Sequence, residues 1–311
     1  MPSLTSQILK KSFAIFITLL SILLLATVAG YRILDLEHPE LSPEQQVFLP
    51  ELTEQDGMRV SGNSWYRKNH LGLWEAYIEG SDYERGRMIG VLANDQIVSQ
   101  EAAFVSQIRR LIPSELFLRS LKYGVAGFNR NMNEHVIPEY QRELYGVSKA
   151  FSDDYDFIGS KYARVMNYHA AHDIGHALQD LSIVGCSSFA LWNNRSEDEK
   201  LLIGRNFDFY MGDGFAKDKM ILFNRPENGI PYASVTWAGF MGVVSGINLQ
   251  GLTVSLNASR SSVPTAARTP ISLLAREILQ YASNIDQAVA IARKRKTFVS
   301  ESILIGSAKD G

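Results

Sequence analysis

The chain has 311 residues, with 31 Lys and Arg against 33 Asp and Glu, for a formal net charge of −2. That balance lacks the basic footprint a nucleic-acid surface needs, so no nucleic-acid partner is expected. Beyond the N-terminal region about 270 residues remain, enough for one large domain or two small ones and for a core able to carry an enzyme site.

Residues 1–11 form a short tail that ends in Lys10 and Lys11. From Ser12 to Gly30 the chain reads SFAIFITLLSILLLATVAG, 19 residues without a charge. At a helical rise of ~1.5 Å this run covers about one hydrocarbon core. The two lysines hold the tail in the cytoplasm by the positive-inside rule, so everything after Tyr31 is translocated. The segment 12–30 is thus expected to be a single-pass anchor in the cell membrane with the body outside the cytoplasm. The alternative is a cleaved signal peptide, with Thr27-Val28-Ala29 as the small-residue site and a periplasmic or secreted body.

Residues 31–60 carry Pro39, Pro43 and Pro50 without sustained periodicity and read as a linker. The stretch 61–185 reads as mostly helical, opened by a strand over Leu73–Gly80. The helix after it has Ser81 as N-cap and Glu84 at capping-box spacing. Further helices are expected over Glu139–Phe151 and Ile158–Leu181. At Val184 the pattern changes to short β-rich runs, CSSFALW, LLIGRNFDF, KMILFN, YASVTW, GVVSGI and LTVSLNA, which read as an antiparallel meander. Thr269-Pro270 then opens one helix and Asn284 a second, whose basic cluster from Arg293 to Lys296 complements the helix dipole. Helices on both sides of a sheet in sequence give an α+β layered fold. The strand in ESILIGSAKDG runs into Asp310-Gly311, a hairpin dipeptide with no returning strand. The expectation is that 186–311 is a truncated core and that a C-terminal part is missing.

The chain has no Gly-x-Ser-x-Gly elbow, P-loop, His-Glu-x-x-His or dinucleotide fingerprint, and no cofactor is implied. His169, His172 and His176 share one side of a helix, with Asp173 beside them. Three ligands on one straight helix seldom converge on one ion, so packing or polarity accounts for them and no metal site is assigned. Cys186 is the only cysteine, so no intrachain disulfide can form.

That cysteine opens the first strand, in Val184-Gly185-Cys186-Ser187-Ser188-Phe189, and the second strand carries Gly204-Arg205-Asn206-Phe207-Asp208. A hairpin through the polar loop Asn193 to Lys200 sets the start of one strand beside the end of the other, which brings Cys186 near Arg205 and Asp208. A thiol becomes a nucleophile at neutral pH beside a cation, which Arg205 supplies, while Asp208 can accept hydrogen bonds from an amine. The same pair also fits a plain surface ion pair of little energetic weight.

These two segments, followed by Gly246-Ile247-Asn248-Leu249-Gln250-Gly251-Leu252-Thr253-Val254-Ser255-Leu256-Asn257, resemble the N-terminal-nucleophile (Ntn) hydrolases. Within them the likeness is to the choloylglycine hydrolase, penicillin V acylase and isopenicillin N acyltransferase group, the peptidase C45-like families. Upstream, Gly80-Ser81-Asp82-Tyr83-Glu84-Arg85-Gly86 and then Gly90 resemble the acyltransferase branch. The resemblance implies an αββα sandwich whose precursor cuts itself between Gly185 and Cys186. Cys186 would then supply both the thiol and, through its freed α-amine, the base. Arg205 would hold the thiolate, Asp208 the amine, and Asn257 would donate to the tetrahedral oxyanion, a contribution on the order of 3 kcal/mol for such donors. Ser187 stands where many relatives have threonine, and the family's later asparagine and arginine would fall beyond Gly311. The implied activity is an extracytoplasmic amidase or acyltransferase acting on a linear C–N bond of an N-acylated small molecule. The competing expectation is a membrane-anchored binding protein that keeps the fold without turnover.

Overall fold

A computed structural model of the chain describes residues 4–171, 173, 184–259 and 264–310. The uncharged run lies within helix α1, Leu4–Leu34, and every described side chain from 13 to 26 on it is exposed. Among the described residues no helix is long and apolar enough to cross a membrane, so the structure gives no support to a span over 12–30.

The stretch after α1 is not a featureless linker. Ser160 donates to the Asp35 carboxylate at 3.3 Å, Leu36 is buried, and His38 stacks on Tyr145 with ring centroids 4.5 Å apart. A short helix follows, α2 (Pro43–Val47), then strands β1 (Thr53–Gln55), β2 (Met58–Ser61), β3 (Ser64–Lys68) and β4 (Trp74–Gly80). Gln55 pairs with Met58, so Asp56-Gly57 alone make the first turn, both at positive φ, 50° and 72°. That is the geometry an Asp-Gly hairpin favours. Pro-rich surroundings and strands only three to five residues long hide this meander from a periodicity reading.

The described strands make a nine-stranded sheet in the order β1-β2-β3-β4-β7-β8-β9-β10-β11, with β7 at Lys219–Pro226, β8 at Tyr232–Trp237, β9 at Ser245–Asn248, β10 at Leu252–Ala258 and β11 at Glu301–Ser307. All its pairings are antiparallel except β4 with β7. One face carries Tyr66, Ala76, Ile78, Leu222, Val254 and Leu256, all buried. Against it pack helices α3 (Asp82–Leu92), α6 (Pro138–Ser148) and α8 (Ile271–Tyr281), through side chains such as Ile89, Leu144 and Ile278.

The segment with the Gly80 to Gly90 motif builds this helical layer. Gly80 takes φ +114°, and Ser81 donates its backbone N–H to the Glu84 carboxylate at 3.0 Å, closing the capping box. A Cβ on Gly86 would stand 2.0 Å from the Glu143 carbonyl, and one on Gly146 would stand 2.6 Å from that of Tyr83. Only glycines let α3 and α6 cross so closely. At the crossing Glu143 is fully buried between two guanidiniums, Arg85 at 2.6 Å and Arg276 at 2.5 Å. Burial pushes the Glu143 carboxyl up, but Arg276 and Arg85 together hold it below its ordinary value.

The helix expected to run on from Ser81 breaks at Ala93 into α3 and α4 (Asn94–Leu111), followed by α5 (Glu115–Asn129) and α7 (Lys161–His169). The rest of the helix expected to Leu181 lies largely outside the described residues. Helix α8 begins at Ile271, but Thr269 does not cap it; the Thr269 hydroxyl donates to the His135 carbonyl. Its first N–H donates instead to the carboxyl group of Asp173 at 3.2 Å. Helix α9 (Ile285–Arg293) starts as expected, with Asn284 accepting from the Gln287 N–H at 2.9 Å. Asp310 accepts from the Ile285 N–H at 2.8 Å, tying the segment after β11 to the start of α9.

The first two β runs depart from the single meander the sequence suggests. Among the described strands, β5 (Val184–Leu191) and β6 (Leu202–Phe209) pair only with each other, as a two-stranded ribbon. Alternation gives the ribbon an inner face of Cys186, Arg205, Phe207 and Phe209, which packs on the side of the large sheet away from α3 and α6. Phe207 and Phe209 each lie 6.4 Å from Trp237, and a Cβ on Gly306 would stand 2.4 Å from Ile203. Layers of helix, sheet and second sheet make a mixed α/β architecture consistent with an Ntn-like fold.

Candidate active site

The hairpin places the residues that the sequence brings together. Register pairs Gly185 with Asp208, Cys186 with Phe207 and Ser188 with Arg205. Because side chains alternate, Cys186 and Arg205 share the inner face, while Asp208 lies on the outer face opposite Gly185. Arg205 Nη2 stands 3.8 Å from Cys186 Sγ and donates to the Leu256 carbonyl of β10, while its guanidinium lies 4.5 Å over the Phe207 ring. One arginine therefore joins the thiol, the ribbon and the sheet behind it. Burial pushes the Arg205 guanidinium down, opposed by negative charge at Cys186 and at Asp208.

Asp208 stands close to the peptide unit before the cysteine. A Cβ added at Gly185 would meet Asp208 Oδ2 at 3.6 Å, an ordinary contact, and Gly185 is not among the glycines at positive φ. The resting backbone there is thus not strained in the way that would demand glycine. Across the ribbon, a Cβ at Gly204 would fall 2.4 Å from the exposed Phe189 ring, which would have to turn aside.

Asn257 follows directly on Leu256, whose carbonyl holds Arg205, and β10 lies against β5. Its Nδ2 donates to the Ser255 carbonyl at 3.2 Å, and its Oδ1 is buried without a hydrogen-bond partner among the described residues. The asparagine thus borders the site, with its amide turned back along its own strand. The rest of the long glycine-rich motif is scaffold. Asn248 donates to the carbonyls of Leu279 and Ala282 at 2.8 Å each and so fastens the β9–β10 turn to α8.

An apolar wall that the sequence did not single out continues the inner face. Phe209, Phe215, Trp237, Phe240, Phe104 and Tyr168 line a cavity of about 40 Å³. Phe207, directly across from Cys186, lies 6.0 Å from Phe209 and so links the thiol to this wall. The signal was present in the alternation Arg205, Phe207, Phe209 along β6, which assigns the two rings to the thiol's own face.

Of the three histidines, His172 and His176 lie outside the described residues. His169 is a core residue: its Nδ1 lies 2.7 Å from the Val165 carbonyl, and its Nε2 accepts the Met241 N–H at 2.9 Å. Stacked on Phe240 at 4.7 Å and fully buried, it has its pKa pulled down to about 4 by desolvation. It is therefore neutral at physiological pH. Among the described residues no group of three His, Cys, Asp or Glu could hold a metal ion.

A curated relative, an uncharacterized protein of Archaeoglobus fulgidus, is 26% identical over 252 residues, which covers 76% of this chain and 42% of that protein. The chain thus spans under half the length of that relative. A family model, acyl-coenzyme A:6-aminopenicillanic acid acyl-transferase, matches residues 192–310, a stretch that begins after Cys186 and includes Arg205, Asp208 and Asn257. The resemblance read from the sequence motifs is therefore shared by the family comparison: residues 192–310 carry the pattern of the acyl-coenzyme A:6-aminopenicillanic acid acyl-transferases.

Proposed function

We propose that the protein is an extracytoplasmic amidase or acyltransferase of the Ntn type, with Cys186 as nucleophile, acting on a linear amide of an N-acylated small molecule. The observation that carries this reading is the Arg205 guanidinium 3.8 Å from the only thiol of the chain, on a strand where Asp208 flanks the preceding peptide unit.

In the uncut chain the nitrogen of Cys186 is an amide and cannot act as a base. The thiol first attacks the Gly185 carbonyl, the C–N bond to Cys186 breaks, and the nitrogen leaves as an amine carrying a proton. Water then opens the resulting thioester, which frees the thiol and leaves a carboxylate on Gly185. An α-amino group ordinarily titrates near 7.7 to 8.0, which suits it to take the thiol's proton during turnover. Arg205 stabilises the thiolate, and Asp208 accepts hydrogen bonds from the protonated amine. The thiolate attacks the substrate carbonyl, and the Asn257 amide turns from Ser255 to donate to the oxyanion. The amine of the leaving group departs with the proton from Cys186, and water or a second amine resolves the acyl-enzyme. Phe207, Phe209 and Trp237 offer an apolar seat for the acyl portion.

The location outside the cytoplasm rests on the sequence, where Lys10 and Lys11 precede the uncharged run. N-terminal sequencing of purified protein tests the mechanism. A new terminus reading Cys-Ser-Ser-Phe is expected without added protease, and an active protein with the Gly185-Cys186 bond intact overturns it.

A further inference from the structure

A chain of ring contacts leads away from the thiol. Phe207, across the ribbon from Cys186, lies 6.0 Å from Phe209 and 6.4 Å from Trp237. Both of these meet Phe215, at 5.9 Å and 5.0 Å. Phe215 meets Phe104 at 6.3 Å, and Phe104 meets Tyr168 at 4.7 Å. Phe207, Phe209, Phe215 and Trp237 follow Cys186 in the chain, whereas Phe104 on α4 and Tyr168 on α7 precede it. The end of the aromatic cavity farthest along these contacts is therefore built by the piece upstream of the proposed cut.

That end is held in place. Phe104 and Phe215 are both buried, and Gln100, one turn before Phe104 and buried as well, donates its Nε2 to the Phe215 carbonyl at 3.1 Å. Helix α4 thus fixes the loop that follows β6. Tyr168 donates its hydroxyl to the Glu101 carboxylate at 3.1 Å, which fixes the last ring. A wall of aromatic rings receives an apolar chain end, and its position limits the length of that chain. Phe209 lies two residues beyond Phe207, about 7 Å along the strand. An extended hydrocarbon chain advances roughly 1.3 Å per carbon, so about five carbons cover that distance. The cavity beyond, of about 40 Å³, holds about three waters at ~10–15 Å³ each, or as many methylenes of similar size.

We propose that Phe104, with Phe215, is the stop that sets the length of the acyl group, and that the substrates are N-acyl amides with an unbranched apolar chain of about eight carbons. This rests on the reading that Cys186 is the nucleophile and that the acyl portion lies on Phe207, Phe209 and Trp237. The piece upstream of the cut then remains part of the binding site, as the part that decides which chain fits.

The test measures kcat/KM on the purified protein with N-acylglycines from acetyl to dodecanoyl, read as release of glycine. The parent is expected to gain about fourfold per added carbon, the worth of one buried methylene, up to about eight carbons and to fall beyond that. Phe104→Ala opens the end wall and should raise the ratio of decanoyl to octanoyl turnover about tenfold, since two further methylenes are then buried. Phe104→Leu, a smaller change in packing that keeps the variant folded if alanine does not, should move the same ratio about threefold in the same direction. A folded Phe104→Leu with the parent's ratio overturns the stop and leaves the amidase reading standing. A parent rate that keeps rising to dodecanoyl does the same. N-terminal sequencing of the same sample separates the two readings: a protein cut before Cys186 that cleaves none of the series overturns this proposal, and an uncut chain that cleaves them overturns the mechanism on which it rests.

Discussion

Replacing Arg205 by alanine tests the site at its centre. The guanidinium lies 3.8 Å from the thiol, and at that separation a unit charge is worth about 4 kcal/mol at an effective dielectric near 20 and about 1 kcal/mol in water. Arg205 is half-buried, so a value between these limits applies, about 1.5 to 3 kcal/mol, or roughly tenfold to a hundredfold in the ratio of thiolate to thiol. A more basic thiolate is also the better nucleophile, with a Brønsted slope near 0.4 to 0.5, which cancels about half of that effect on a logarithmic scale. Arg205→Ala should therefore react with iodoacetamide about three- to tenfold more slowly at pH 7. Arg205→Lys keeps the charge but loses the planar guanidinium that lies over the Phe207 ring while its Nη2 reaches the thiol and the Leu256 carbonyl, so it should fall between the two. Equal alkylation rates for the parent and Arg205→Ala, compared in the same processing state, would refute the role assigned to Arg205.

Cys186→Ala should abolish turnover while preserving the circular dichroism spectrum and melting temperature, and activity near the parent rate would remove the thiol from the mechanism. Gly86→Ala drives a Cβ to within 2.0 Å of a backbone oxygen and should lose about 1 to 3 kcal/mol in urea unfolding, whereas Gly90→Ala, whose Cβ meets Ala150 at 3.4 Å, should lose far less; equal losses would mean that α3 and α6 are not held by this crossing. Asp173, fully buried, has its pKa raised to about 8 by desolvation, so the folded state holds its proton where the unfolded chain has released it, and its contribution is complete below pH 3.8 and lost as pH rises toward 8. Asp173→Asn should then gain melting temperature over the parent at pH 8 relative to the same comparison at pH 5, and a difference independent of pH would show that the carboxyl is not held neutral.

The parts of the fold that were legible in the sequence are those governed by local rules. Strand β4 shows in the alternation of Trp74 to Gly80, and Asn284 announces α9 because its side chain caps the helix that follows it. The nearness of Cys186 and Arg205 was legible too, since an antiparallel hairpin sets the start of β5 beside the end of β6, while the face they share follows from the register. What escaped depends on partners far away in the chain. Asp173 caps a helix that starts 98 residues later, and Glu143 neutralises Arg276 across 133 residues. No window along the sequence contains both members of either pair. The split of the β runs into two sheets was hidden for a similar reason. It depends on which face Phe207 and Phe209 turn toward Trp237, not on the strands' own composition.

The motif residues divide into two kinds, and the division bears on the chemistry. Gly86, Gly246 and Asn248 are where side-chain volume or hydrogen bonds fix how elements meet in this architecture. Arg205, Cys186 and Asp208 are not required by packing in that way. An arginine that inserts its guanidinium between a thiol and a carbonyl, at the cost of desolvation, has no structural task that an apolar side chain could not perform more cheaply. The ribbon further sets the thiol on one face and the carboxylate on the other, with the Gly185–Cys186 peptide between them. A site built only for stability would gain nothing from that separation. In the proposed mechanism the thiol that cuts this peptide acts from one face, and the amine that the cut frees lies next to the Asp208 carboxylate on the other.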